Sequence, residues 1–190
     1  HRTVLILKLR IFAWLLLVAA AAILIFSADS YLTQRSLAAK TIRLHVVANS
    51  DSDEDQAEKL RVRDAVLRNV AALTADCGDA NAARTVLASH LNELQTSAQR
   101  CTEKPVTVSL GEERFATRYY DTFTLPAGIY PSLRVKIGAA QGHNWWCVVF
   151  PTLCTAASGE ETARIAAAGG FDADETELVT DADGYVLRFK

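Results

Sequence analysis

The chain has 190 residues, half of them apolar and 22% charged, with a formal net charge of −2. That is enough sequence for one domain with a core of its own, and too apolar for a disordered chain. The balance of 20 basic against 22 acidic side chains leaves no electrostatic footprint for nucleic acid. An asymmetry lies under that average. Residues 1–28 hold Arg2, Lys8 and Arg10 and no acid, so the remaining 162 residues carry 17 basic and 22 acidic side chains, a balance of −5. The chain contains no methionine, so His1 reads as an internal position with a few residues expected ahead of it.

Ile11 to Phe26 is an unbroken run of 16 apolar residues, extended upstream by Val4–Leu7 past Lys8 and Arg10. A basic flank followed by such a run reads as a secretory signal or a signal-anchor. A comfortable membrane span needs about 20 residues, so the length sits between the two. Ala28-Asp29-Ser30 is a passable cleavage site and Phe26-Ser27-Ala28 a poor one. A buried core helix is the third reading, and it is disfavoured because core helices rarely go four turns without a polar residue. Lys8 and Arg10 place the N-terminus in the cytoplasm, and the bulk of the chain is expected outside the membrane.

Residues 29–40 mix polar and apolar side chains and read as a spacer. Thr41–Ala48 alternates Ile42, Leu44 and Val46 against Arg43, His45 and Val47, the period of a half-buried strand with His45 facing solvent. Asn49-Ser50-Asp51-Ser52-Asp53-Glu54-Asp55 then opens a helix, with capping residues first and acids on the positive end of the dipole. That helix is expected to reach about Ala75, with Leu60, Val62, Val66, Leu67, Val70 and Leu73 on its core face. Gly78-Asp79 precedes a second helix over about 80–100. From Pro105 the period becomes that of strands: Val106–Leu110, a turn at Gly111-Glu112, a β-rich stretch from Arg114 to Phe123, and a turn at Pro126-Ala127-Gly128. The strand at Leu133–Ile137 follows, and Gln141–Asn144 leads into Trp145–Phe150. A short helix at Glu160–Ala168 and a hairpin around Asp183-Gly184 close the chain. The pattern predicts an α+β fold: an N-terminal signal or anchor helix, then strand–helix–helix, then an antiparallel sheet with helices packed on one face. The expected organisation is a signal or anchor at 1–28, a spacer at 29–40, a core domain at 41–155, and a C-terminal helix and hairpin at 156–190.

The four cysteines, Cys77, Cys101, Cys147 and Cys154, suit an oxidising compartment. They lack the spacing of a zinc site. Cys77–Cys101 is disfavoured as a disulfide, because a single helix over 80–100 would hold its ends about 30 Å apart. Cys147 and Cys154 flank Pro151, where a turn brings them together, and they are the preferred pair; buried free thiols are the alternative. Asp51, Asp53 and Asp55 mimic a calcium loop, but Gln56 stands where glycine is needed and Val62 where a bidentate glutamate is needed. Asp181-x-Asp183-Gly184 is equally partial. No metal or other cofactor is expected. His143 and Cys147 would be about 13 Å apart on a strand, too far for a nucleophile pair, and the apolar surroundings of Cys147 make a thiol inert.

Two features stand out from this background. Lys59 and Arg63 fall inside the apolar arc of their helix. One reading is snorkelling, with Asp55–Lys59 as an i,i+4 ion pair. The other is a polar site built from the strand-end loop and the first helical turn, with Lys59 and Arg63 engaging carboxylates. Trp145 and Trp146 face opposite ways on a strand, so one fills the core. The other needs a partner or a covering layer, for which the helix at 160–168 is the first choice.

Ile42-Arg-Leu-His-Val-Val-Ala-Asn-Ser-Asp-Ser52, continued by Asp55-Gln56, Lys59-Leu60 and Val62-Arg63-Asp64-Ala-Val66, resembles the signature of the stage II sporulation protein R family. Gly142-His-Asn-Trp-Trp-Cys147-Val-Val-Phe-Pro151, with Leu153-Cys154, resembles that family's second signature. The resemblance covers about residues 40–155. Departures are Thr152 in place of a second proline, the extra Cys77 and Cys101, and the C-terminal tail. The resemblance implies signalling rather than catalysis: a protein exported from the forespore into the space between forespore and mother cell. There it triggers a membrane-embedded sporulation protease, an aspartic (SpoIIGA-like) enzyme that processes a mother-cell sigma-factor precursor. The expected contact surface is Asn49, Ser50, Asp51, Asp55, Lys59 and Arg63, with His143, Asn144, Trp145 and Trp146 if the two segments lie together. The rival from another class is a secreted hydrolase working through Cys147 and His143.

Overall fold

The computed structural model describes residues 2–155 and 157–180; the hairpin expected around Asp183-Gly184 lies outside them. Helix α1 runs from Arg2 to Ala39 without a break. Its side chains from Ile11 to Phe26 stand exposed, and by length and composition Arg10–Ala39 is long and apolar enough to cross a membrane. Such a helix suits a signal and an anchor alike. The stretch 29–40, expected as a spacer, is helical up to Ala39 and ends inside the domain, with Leu37 fully buried and Ala38 nearly so.

The sheet is ordered β2-β5-β1-β6. Strand β1 (Ile42–Val47) is buried at all six positions because it is central. It pairs in parallel with β5 (Gly128–Ile137) and antiparallel with β6 (Asn144–Phe150). The remaining large ladder, β2 (Val106–Phe115) on β5, is antiparallel. The fold is therefore α+β with a mostly antiparallel sheet. Gly111-Glu112, expected as a turn, lies within β2, opposite Ser132 and Pro131. Glycine costs little on this edge strand. Pro131 precedes the β1 ladder, which starts at Ser132, so its missing N–H costs nothing.

Helices α2 (Asp53–Thr74), α3 (Ala80–Ser89) and α4 (Leu91–Gln99) cover one face. Val62, Val66, Val70, Leu87 and Leu94 pack there on Ile42, Leu44, Val46, Leu133, Val135, Cys147 and Val149. Ser52 caps α2, its side chain accepting from the Asp55 N–H at 3.2 Å, with Asp53, Glu54 and Asp55 in the first turn. The single helix expected over 80–100 is two. His90 leaves helical geometry at φ −112° and ψ 17°, and its ring Nδ1 lies 2.8 Å from the Val86 carbonyl that the break leaves open. The helix-length argument against a Cys77–Cys101 bond thus loses its premise, although both remain free thiols.

The opposite face is overlain by a small arm, β3 (Arg118–Tyr119) paired with β4 (Thr124–Leu125), and by α5 (Gly159–Ala168) and α6 (Ala173–Thr180). Leu37, Phe123, Leu125, Val148, Leu153, Ala166, Phe171 and Val179 form a second core there. The eight residues of α6 show little apolar periodicity, so the sequence pattern does not predict this helix.

Candidate functional site

The loop after β1 and the loop before β6 are pressed together. Gly142 N–H donates to the Ala48 carbonyl at 3.0 Å and Gln141 N–H to the Asn49 carbonyl at 3.1 Å. A Cβ on Gly142 would collide with the Ser50 backbone, so glycine is required by this approach. Gly138 has φ +56° and faces Asn49 just as closely. The Asn49 side chain staples both loops, accepting from Ala139 N–H at 2.9 Å and donating to Asp55 at 2.8 Å.

Asp55 is buried, and its expected partner Lys59 is not the one it has. Its carboxylate accepts from Ser50 and Asn49 and pairs with Lys104 at 3.0 Å. The Ser50 hydroxyl, then the Asn49 amide, then Lys104 hold its pKa well below the usual carboxylate range. Lys104 also meets Glu58 at 3.0 Å, and that contact leads those raising its pKa. The side chains of Asn49, Ser50 and Asp55 are thus committed to bonds within the fold, Asp55 buried and the other two half-buried.

Lys59 is 5% exposed. Its ammonium donates to the His143 carbonyl at 2.9 Å and to Gln56 Oε1 at 2.6 Å, and burial lowers its pKa. On the outer surface, His143 Nδ1 and backbone N both lie 2.6 Å from Asp51 Oδ1. Arg63 pairs with Asp64 at 2.7 Å and lies 4.4 Å from the ring centre of Trp145, which stays 36% exposed. The surface available to a partner is therefore Asp51, Arg63, His143 and Trp145. Lys59 braces it from below.

Trp146 turns to the other side of the sheet. It packs against a cluster of Ala38 from the end of α1, Phe115 and Tyr130: it stacks on His45 at 3.8 Å, meets Phe115 edge-on at 5.2 Å, and lies under the Arg118 guanidinium at 5.1 Å. His45, expected in solvent, is buried between Glu113 and Asn144, each 2.9 Å from a ring nitrogen. Glu113 also accepts from Ser132 at 3.0 Å and pairs with Arg134 at 2.9 Å. Burial alone would raise its pKa, but His45, Ser132 and Arg134 outweigh that and lower it. Arg43 beside it is fully buried, 3.8 Å over the Phe115 ring, with Nη2 donating to Tyr120 at 3.1 Å. Burial lowers its pKa and pushes the neighbouring Tyr130 phenol up to about 12. The sequence pattern does not reveal this polar layer; its local signal is Arg43 and His45 on an otherwise apolar strand.

Cys147 and Cys154 form a disulfide, with Cα atoms 6.0 Å apart. It ties a short helical turn, Leu153–Thr155, to β6. The Cys147 sulfur, 1% exposed and bonded, carries no thiolate.

The two signature segments thus meet in one surface, and the family comparison reads across both. The stage II sporulation protein R family model matches residues 38–160. The chain belongs to this family. Stage II sporulation protein R of Bacillus subtilis (strain 168) is 38% identical over 120 residues, covering 60% of this chain and 54% of that protein. The chain therefore spans about half the length of the curated relative it matches. No solved structure matches it. The family is one of sporulation, and its matched range begins at the last turn of α1, where Ala38 enters the core, so that turn belongs to the domain.

Proposed function

We propose that this protein is an exported signal that activates a membrane-embedded aspartic protease, which in turn processes a mother-cell sigma-factor precursor. Its site of action would be the space between forespore and mother cell. The contact is the outer surface where Asp51, Arg63, His143 and Trp145 meet, held from beneath by Lys59. The observation that supports this most is the union of the two signatures. Residues 84 apart in sequence, Lys59 and His143, are joined at 2.9 Å, and the joint buries Lys59 and Asp55 while leaving the Trp145 indole exposed with the half-buried Arg63 guanidinium against it. Trp and Arg are the residues enriched at the centres of protein interfaces.

The test is reconstitution in a non-sporulating host. This chain is co-expressed with the cognate protease and a tagged sigma-factor precursor, and precursor cleavage is scored. Cleavage is expected only when both proteins are present, and the double variant Lys59→Ala/Arg63→Ala is expected to abolish it while leaving the domain folded. No cleavage from a folded, exported chain would sink the reading.

A further inference from the structure

Strand β6 ends the sheet, and part of its outer edge is bare. In its ladder with β1, the pairs Arg43↔Val148, His45↔Trp146 and Val47↔Asn144 alternate with Leu44↔Cys147 and Val46↔Trp145. An antiparallel pair exchanges hydrogen bonds at every second position and turns the intervening backbone groups away. Val148 sets the phase: its N–H donates outward, to Cys154 Sγ at 2.9 Å. The N–H groups of Asn144 and Trp146 therefore point outward as well. The disulfide-bound turn closes the edge at Val148, and among the described residues no backbone group pairs with it further forward. A groove of about 390 Å³ lies there instead, between Asn144–Trp146 and the arm segment 118–123, ending at Leu153 and Cys154. Open edges are ordinarily blunted by charge, proline or a bulge. The one irregularity in this ladder is at Ile42/Arg43, the end already closed.

We propose that this groove receives an extended segment of the partner, added to β6 as a fifth strand of the sheet. The inference rests on the activator reading for the identity of the partner, whose external segment supplies the strand. Main-chain bonds to the Asn144 and Trp146 edge give affinity, and alternate side chains give specificity. On one side the added strand meets Trp145 with Arg63, which is already paired with Asp64. On the other it meets Trp146 with Arg118, whose guanidinium has no carboxylate partner within ion-pair distance among the described residues. The segment accordingly carries an acidic side chain at the position facing Trp146.

Residue-resolved hydrogen exchange tests this on the full chain in lipid nanodiscs, with and without the cognate protease. The Trp146 amide is expected to exchange about tenfold more slowly in the complex, as one hydrogen bond dictates, while the Cys147 amide, already bonded to β1, stays unchanged. A complex that forms with Trp146 exchange unaltered overturns strand addition and leaves the activator reading standing. No complex at all overturns both. Slowing that grows with protein concentration and needs no protease assigns the edge to a second copy of the chain, and also overturns the proposal. A matched pair of variants gives an independent readout. Asn144→Ala and Asn144→Pro both lose the side chain, but only the second loses the outward N–H, at a strand start where proline is tolerated. The proline variant is expected to bind the protease about tenfold more weakly than the alanine variant; equal binding by the two counts against the edge.

Discussion

Lys59 acts on the surface above it through the carbonyl it holds. Its ammonium is buried at a cost, as its lowered pKa records, and is held by His143 and Gln56. Lys59→Met keeps the bulk of the side chain but strips the His143 carbonyl and Gln56 Oε1 of their donor, a loss of about 1–3 kcal/mol. The variant is therefore expected to unfold at a lower temperature and, at a temperature where it stays folded, to lose activation because the His143 carbonyl is released; full activation by this variant would show that the ammonium is dispensable. The Asp55–Lys104 pair makes a second prediction at this scale. Asp55 is lowered in the folded state, so it contributes stability above the ordinary carboxylate pKa of about 3.9 and loses it as pH falls through the folded value. Lys104 is raised, so it contributes below about pH 10.4 and loses that as pH rises through its folded value. Unfolding temperature plotted against pH should be level around neutrality and fall at both ends. Asp55→Asn should be less stable at pH 7 and show a shallower acid limb.

Each element is held by a device small enough to remove. The Ser52 cap satisfies an orphan N–H at the start of α2, and Ser52→Ala is expected to cost about 1 kcal/mol, read by urea unfolding. The Cys147–Cys154 disulfide closes a loop of sequence separation seven, for which chain entropy gives about 2.5 kcal/mol. Reduction is expected to lower the unfolding temperature by about 5–10 °C for a domain of this size. Cys147→Ser should carry the same loss of stability yet retain most activation at a temperature where it stays folded. A hydrolase working through Cys147 would lose all activity in that variant.

The whole molecule is continuous from its apolar helix into the domain core. The last turn of α1 places Leu37 against Phe123, Val148 and Val179, and Lys40 pairs with the buried Glu175 at 2.6 Å. The folding unit thus starts before the first strand. A chain beginning at residue 31, the product of cleavage after Ser30, should unfold at the same temperature as the full-length domain. One beginning at residue 41 should lose about 3 kcal/mol or more, on the scale of deleting one buried leucine, with Glu175 left unpaired as well. Thermal unfolding of the two truncations, side by side, checks this.

What the sequence determined by itself was local. The export-type helix, the capped start of α2, the alternation of β1 and β5, and the two signature segments are all written in neighbouring residues, where period and turn chemistry act directly. The pairing of distant segments was decided only in the folded molecule. β1 lies parallel to β5, β2 runs straight through Gly111, and His90 splits a helix that periodicity alone would continue. His45 and Arg43 are polar residues on a strand, and their burial becomes intelligible only once Glu113, Asn144, Phe115 and Tyr120 arrive from other elements to receive them. The site shows the same division. Its residue types were legible in the chain, but which of them face outward was not. Lys59 and Asp55 turn inward, with Asn49 half-buried beside them, because a buried polar group must find its partner within the fold; Gln56 and Ser50 are local partners, but Lys104, Ala139 and His143 come from segments distant in sequence.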